Sequence, residues 1–301
     1  MFRFDRAVTL GLIQPVLRAV SAGPKRRIPI LMYHSIREGV GRNHPYFETN
    51  TSSEVFTCHL RFLRKNGYKA LDLGGALDAL LSGGEVGRRV VITFDDGYRD
   101  FYTHAFPRLM EYGFQASLFV VSGLTAEHRT STGDKDYLTW SELRELHAGG
   151  TQIGSHTVTH PELYRLSARR IEDEIRQSKE NIEDKLGTRV KSFAYPFAFP
   201  EQDRRFRATL RGFLEKNGYE NGVSTIIGTA GGDDDLFFLP RLPMNSYDDI
   251  QFLQAKLEGS YDWLHLPQQI YKRLKRGVRP FGRVAASETP EDEPARSLLG
   301  S

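Results

Sequence analysis

Short apolar runs alternate along this chain with segments whose apolar residues recur at helical spacing. The runs IPILMY (28–33), RVVITF (89–94), ASLFVV (116–121), TQIGS (151–155), KSFAY (191–195) and GVSTII (222–227) predict strands. Between them, SEVFTCHLRFLRKNG places Phe56, Leu60 and Leu63 on one helical face, with Gly67 as its stop. TWSELRELHAGG has capping-box spacing at Thr139 and Glu142 and ends in Gly149 and Gly150. SARRIEDEIRQSKENIEDKLG carries a stripe of Ile171, Ile175, Ile182 and Leu186, closed by Gly187. Strands alternating with helices predict an α/β protein with a mainly parallel sheet. Six or seven such units in 301 residues point to a barrel rather than an open sheet.

Composition narrows the function classes. The formal charge is only +3, from 41 basic and 38 acidic residues, so no concentrated basic face for nucleic acid is expected. A single cysteine, Cys58, excludes an internal disulfide and leaves the compartment open. No stretch approaches the ~20 apolar residues of a transmembrane helix. The N-terminal MFRFDRAVTLGLIQPVLRAVSAG faintly resembles a secretory signal, but Gln14, Pro15 and Arg18 interrupt its apolar middle. An amphipathic helix lying on the domain or on a membrane surface is the competing reading. An uncleaved cytoplasmic chain is expected, with the cell envelope or periplasm as the alternative. Oligomeric state is not legible.

The strand RVVITF runs directly into Asp95, Asp96 and Gly97. In a parallel barrel that junction lies at the mouth where chemistry sits. Adjacent carboxylates repel and persist where a cation or proton stands between them. Partners for a cation follow in IGSHTVTH, where His156 and His160 stand at another predicted strand end. Two imidazoles and one carboxylate make a facial set for a divalent ion, with positions left open for water and substrate. Only one of the two aspartates is needed for the ion, and its neighbour is free to act as a base.

TFDDG followed by SHTVTH and then YPF resembles the motif order of the polysaccharide deacetylases, carbohydrate esterase family 4. The resemblance spans roughly residues 28–245 and is nearest to the branch with an MYH first strand, which includes poly-β-1,6-N-acetylglucosamine deacetylases and exopolysaccharide-locus enzymes. It implies a distorted (β/α) barrel, commonly of seven strands, and a Zn2+, Co2+ or Ni2+ ion, with Zn2+ expected first. It implies an N-acetylated glycan substrate, as a polysaccharide or a lipid-linked oligosaccharide. By the same resemblance, Asp95 is the general base, and Asp96, His156 and His160 are the metal ligands. The backbone N–H of Phe197 would hold the oxyanion. The chain lacks the arginine that often precedes the third motif's proline, and Arg241 in LPRLP resembles the arginine that tethers the base in this branch. The family's late Leu-x-His acid has its nearest match at His265 in WLHLP, whereas the MYH branch implies His34. Tyr33, Tyr98, Trp140 and Tyr195 are candidates for a sugar-facing wall, with core packing as the competing reading.

Three segments are expected: an N-terminal helical or flexible extension (1–27), a catalytic domain (28–273) and a disordered polar tail (274–301). A hydrolase of small non-carbohydrate amides and a non-catalytic glycan-binding domain are the competing functions.

Overall fold

In a computed structural model of the chain, residues 3–20, 26–39, 44–46, 48–82, 86–128, 131–132, 135–268 and 270 are described. The seven strands of the closed barrel are β1 (Ile30–Tyr33), β2 (Arg89–Phe94), β3 (Ser117–Val120), β4 (Gln152–Ser155), β5 (Ser192–Ala194), β6 (Asn221–Ile227) and β7 (Leu239–Pro243), with Lys69–Leu71 paired on the outside of β2. Each pairs in parallel with the next, and β7 returns to β1 with Leu242 opposite Leu31, which closes the barrel. The expected polar tail from 274 lies outside the described residues.

Helices α1 (Ser53–Lys65) and α2 (Leu73–Leu81) join β1 to β2, and α3 (Phe106–Tyr112) joins β2 to β3. Next come α4 (Trp140–Ala148), α5 (Ala168–Leu186), α6 (Arg204–Lys216) and, after β7, α7 (Ile250–Leu257). Their ends follow local chemistry. Thr139 and Glu142 form the reciprocal capping box of α4, which contributes about 1 kcal/mol per satisfied cap. Gly187 closes α5 at φ 66°, a backbone that favours glycine.

The barrel is distorted between β6 and β7. That connection holds no helix, and its register shifts between Val223 and Ile227. Ala230–Gly231 instead pairs antiparallel with Arg27–Ile28, which splits the expected 28–33 strand in two. β7 itself was not expected as a strand. Its LPRLP sequence holds two prolines and an arginine, which argue locally against a central strand. Tertiary pairing on both sides overrides that preference.

Alternation sorts the strand residues onto two faces. Leu31, Tyr33, Ile92, Phe94, Leu118 and Val120 join the apolar cluster that contains the buried faces of α1, α4 and α5. Ile30, Val91, Phe119, Ala194, Val223 and Leu239 form a second cluster with α2. Phe119 has room because residue 154 is glycine, where a Cβ would lie 2.5 Å from the Phe119 ring.

Candidate active site

Every strand of a parallel barrel delivers its last residues to one rim. Tyr33 and Phe94 are paired at the ends of β1 and β2, so His34, Asp95 and Asp96 follow them onto that rim. Ser155 ends β4 opposite Phe193 of β5, which brings His156 beside the β5 end.

Four non-glycine residues among those described have positive φ: Asp96 (72°), Thr157 (69°), His160 (58°) and Phe197 (56°). Such backbones are costly and persist where surrounding contacts over-determine them. All four lie in the two motif loops and the strand end that carry the candidate chemistry. Gly97 continues the turn at φ 70°, and a Cβ there would stand 3.2 Å from Val120 Cγ1.

Asp96, His156 and His160 form a group whose ligand atoms all lie within 4.8 Å of one another. Asp96 Oδ1 is 3.4 Å from His156 Nε2 and 3.2 Å from His160 Nε2. His156 Nδ1 donates to the Ala194 carbonyl at 2.8 Å, which fixes the ring and turns Nε2 toward Asp96. Burial pushes the Asp96 carboxyl up, but its hydrogen bonds with both histidines outweigh this and hold it far below the usual carboxylate range. The donor set therefore fits a divalent ion: two imidazole nitrogens and one ionised carboxylate, with no fourth protein ligand closing it among the described residues.

The histidine loop is itself braced. Glu174 of α5 accepts from the Val158 and Thr159 amides at 2.8 and 3.0 Å and from the Thr159 hydroxyl at 2.7 Å. The His160 amide donates to Thr157 Oγ1 at 3.0 Å. The Glu174 contacts bridge a loop and a helix 15 and 16 residues apart, and sequence reading missed both Glu174 and Thr157.

Asp95 is buried, and Arg241 is fully buried on the facing strand β7. The guanidinium donates to both Asp95 oxygens at 2.7 Å, to the Ser224 carbonyl at 2.9 Å and to Thr93 Oγ1 at 3.2 Å. Burial raises the Asp95 carboxyl, but Arg241 and then His156 overcome it, leaving Asp95 below its ordinary value and ionised. His34 is held below its ordinary value, first by burial, with Asp96 and Asp95 pulling the other way. Its coupling to both carboxylates places it at this mouth. His265 is instead paired with Glu201 at 3.3 Å.

The structure divides the aromatic candidates. Tyr98 is buried and hydrogen-bonds Asp96. Tyr33 is in the core, stacked on Phe94 at 5.3 Å, with its hydroxyl 2.9 Å from His59 Nδ1. Trp140, also buried, joins the helix-facing cluster. Tyr195 is buried and stacks on Phe238 at 5.2 Å. For these three the burial matches the competing reading, core packing, rather than a sugar-facing wall. The exposed aromatic at the mouth is the Phe197 side chain, 48% exposed and edge-on to His160 at 4.7 Å. Only its backbone had been singled out.

A closed parallel barrel with a carboxylate–imidazole cluster and a second, arginine-bound carboxylate at its rim defines a hydrolase-type site. A family model for polysaccharide deacetylase matches residues 83–221. The chain is 33% identical over 217 residues to the Bacillus subtilis protein YxkH, whose name places it among the polysaccharide deacetylases; the match covers 72% of this chain and 71% of that one. It is 28% identical over 152 residues to the Escherichia coli poly-beta-1,6-N-acetyl-D-glucosamine N-deacetylase, covering 47% of this chain and 22% of that protein. The solved Streptococcus pyogenes deacetylase PplD, in complex with acetate, superposes with a TM-score of 0.67 at 27% identity, over 78% of this chain and 99% of that one. The chain belongs to the polysaccharide deacetylase family. It is a deacetylase enzyme acting on polysaccharide.

Proposed function

We propose that this enzyme is a divalent-metal-dependent hydrolase of N-acetyl groups on an amino-sugar glycan, releasing acetate and a free amine. One observation carries the reading: an ionised carboxylate, Asp95, held by Arg241, directly precedes Asp96 of the three-ligand cluster. Similarity to an enzyme named for N-acetyl-D-glucosamine polymer supports the substrate class.

When bound by Asp96, His156 and His160, the ion supplies Lewis acidity, lowering the pKa of water toward ~7 and polarising the acyl oxygen. The chain's own groups do the rest. Arg241 engages both Asp95 oxygens and fixes the carboxylate's plane, leaving lone pairs to accept the proton of an attacking water. The Phe197 amide N–H is assigned to the acyl oxygen as charge develops there. Water adds to the acyl carbon, the C–N bond breaks, and the nitrogen takes a proton as it leaves. His34 is assigned that proton transfer. A histidine held below its ordinary value is a stronger acid once protonated.

Two experiments address this reading. Acetate release is expected from β-1,6-linked N-acetylglucosamine oligomers or chitooligosaccharides; turnover confined to cyclic imides or ureides would favour small non-carbohydrate amides instead. His34→Asn should lower acetamide turnover by about 10²–10⁴-fold, as for loss of a general acid, and flatten the alkaline limb of the pH profile. Aryl acetates, whose phenolate leaves without a proton, should be far less affected. Equal loss on both substrates would move the acid elsewhere.

A further inference from the structure

His34 is gripped on both sides by a single loop. Before it, the Tyr33 carbonyl accepts from the Asp95 amide at 3.0 Å. After it, the Ser35 hydroxyl donates to Asp100 Oδ2. Asp95 and Asp100 are the two ends of DDGYRD, the turn that also carries Asp96. The chain leaves the barrel between these two ties. Ser35–Arg37 pairs in parallel with Asn50–Ser52 in a separate two-stranded sheet, so His34 is the corner residue between β1 and that sheet. The Asn50–Ser52 pairing ties the outgoing strand to the start of α1, where Ser52 is the N-cap. Asp100 ties it to the turn of the base.

The Asp100 side chain is only 11% exposed. Arg37 Nε also donates to Oδ2, at 3.3 Å. Ser35 and Arg37 are two apart on a strand and share one face, and both end on this one oxygen. Oδ1 is buried and has no hydrogen-bond partner among the described residues. Burial raises the Asp100 carboxyl above its ordinary value, and the Ser35 hydroxyl, the Ile36 amide and Arg37 offset only part of this. A carboxylate used at one oxygen and orphaned at the other is a poor source of stability, and a half-satisfied buried group calls for a functional reason. Its placement supplies one.

We propose that Asp100 is a positioning residue for the reaction: by clamping the corner after His34 onto the turn of Asp95 and Asp96, it sets where the imidazole stands relative to the base and the leaving nitrogen. The inference rests on the assignment of His34 as the acid. Asp100 acts through Ser35 and the backbone of the corner, and takes no part in the proton transfer itself. Such transfers tolerate little misplacement, and a shift of about 1 Å can cost about 10²-fold.

The test measures kcat and KM on an N-acetylated oligosaccharide and on an aryl acetate for wild type, Asp100→Ala, Ser35→Ala, the double variant and His34→Asn, each with its metal content and thermal midpoint. Asp100→Ala and Ser35→Ala should lower kcat on the acetamide by about 10- to 10²-fold, leave its KM near the wild-type value and spare the aryl acetate. The double variant should match Asp100→Ala, because both changes break one contact. Metal content should hold, since neither residue belongs to the three-ligand cluster. Ser35→Ala is the milder change and keeps the comparison should Asp100→Ala fold poorly. A selective loss in His34→Asn with none in the Asp100 and Ser35 variants, losses in these that are equal on the two substrates, or additive losses in the double variant would overturn the positioning role and leave the acid in place. If His34→Asn itself shows no selective loss, the acid assignment falls and the inference falls with it.

Discussion

Asp95→Asn should lower acetate release by about 10²–10⁴-fold, the usual cost of removing a general base, while the metal content of the protein is retained. The substitution is nearly isosteric but not electrically neutral. Arg241 is fully buried, and its guanidinium would lose the carboxylate's charge and one of its two hydrogen bonds there, keeping the amide oxygen, the Ser224 carbonyl and Thr93 Oγ1 as acceptors. Removing one partner of a buried ion pair costs about 3–5 kcal/mol. For a chain of 301 residues that lowers the thermal midpoint by about 5–8 °C. The variant should therefore be inactive and less stable, and turnover must be measured well below its own midpoint. The stability loss should also depend on pH. Asp95 lies below its unfolded value, so its contribution is fully present above about pH 4 and lost as pH falls through the folded value. The gap between wild type and variant should narrow in acid. A variant with unaltered kcat at full metal loading would remove Asp95 from the chemistry.

Much of this site was readable because its key residues sit at the ends of apolar runs. RVVITF predicts a strand on its own, so Asp95 and Asp96 must emerge where that strand stops. The same holds for His156 after TQIGS. Parallel closure then brings those ends to one rim, and Asp96, His156 and His160 converge there. Helix limits were legible for a similar reason. The Thr139–Glu142 box and Gly187 are local signals that need no tertiary information.

What escaped reading depends on contacts distant in sequence. β7 was hidden because an inward arginine between two prolines looks unlike a strand; Arg241 itself was legible only through the family resemblance, and its bonds to the buried Asp95 show why it points inward. Glu174 looks like one more charge on a long polar helix until the Val158 and Thr159 amides are seen to need an acceptor. The aromatic residues were left between two readings for a different reason. Residue type tells that a ring can stack on sugar, but not which face of a strand it occupies. Tyr33 alternates with Met32 and shares the helix-facing side with Leu31, so it packs on Phe56 and Phe94. Phe197, by contrast, is pushed outward by a left-handed backbone that no local pattern announces.

The central claim is that Asp96, His156 and His160 hold a divalent ion on which the reaction depends. Its most direct test is acetate release by wild-type protein before chelation, after chelation, and after return of Zn2+, Co2+ or Ni2+, with metal content measured at each stage. Chelation should cut the rate by at least about 10³-fold, since a Lewis acid contributes several kcal/mol of charge stabilisation. Return of one equivalent should restore it. His156→Ala removes a nitrogen donor that the Ala194 carbonyl keeps oriented, so it should neither retain the ion nor recover with added metal. Full turnover by metal-free wild type, or one tightly held equivalent of metal in His156→Ala with normal activity, would contradict the account.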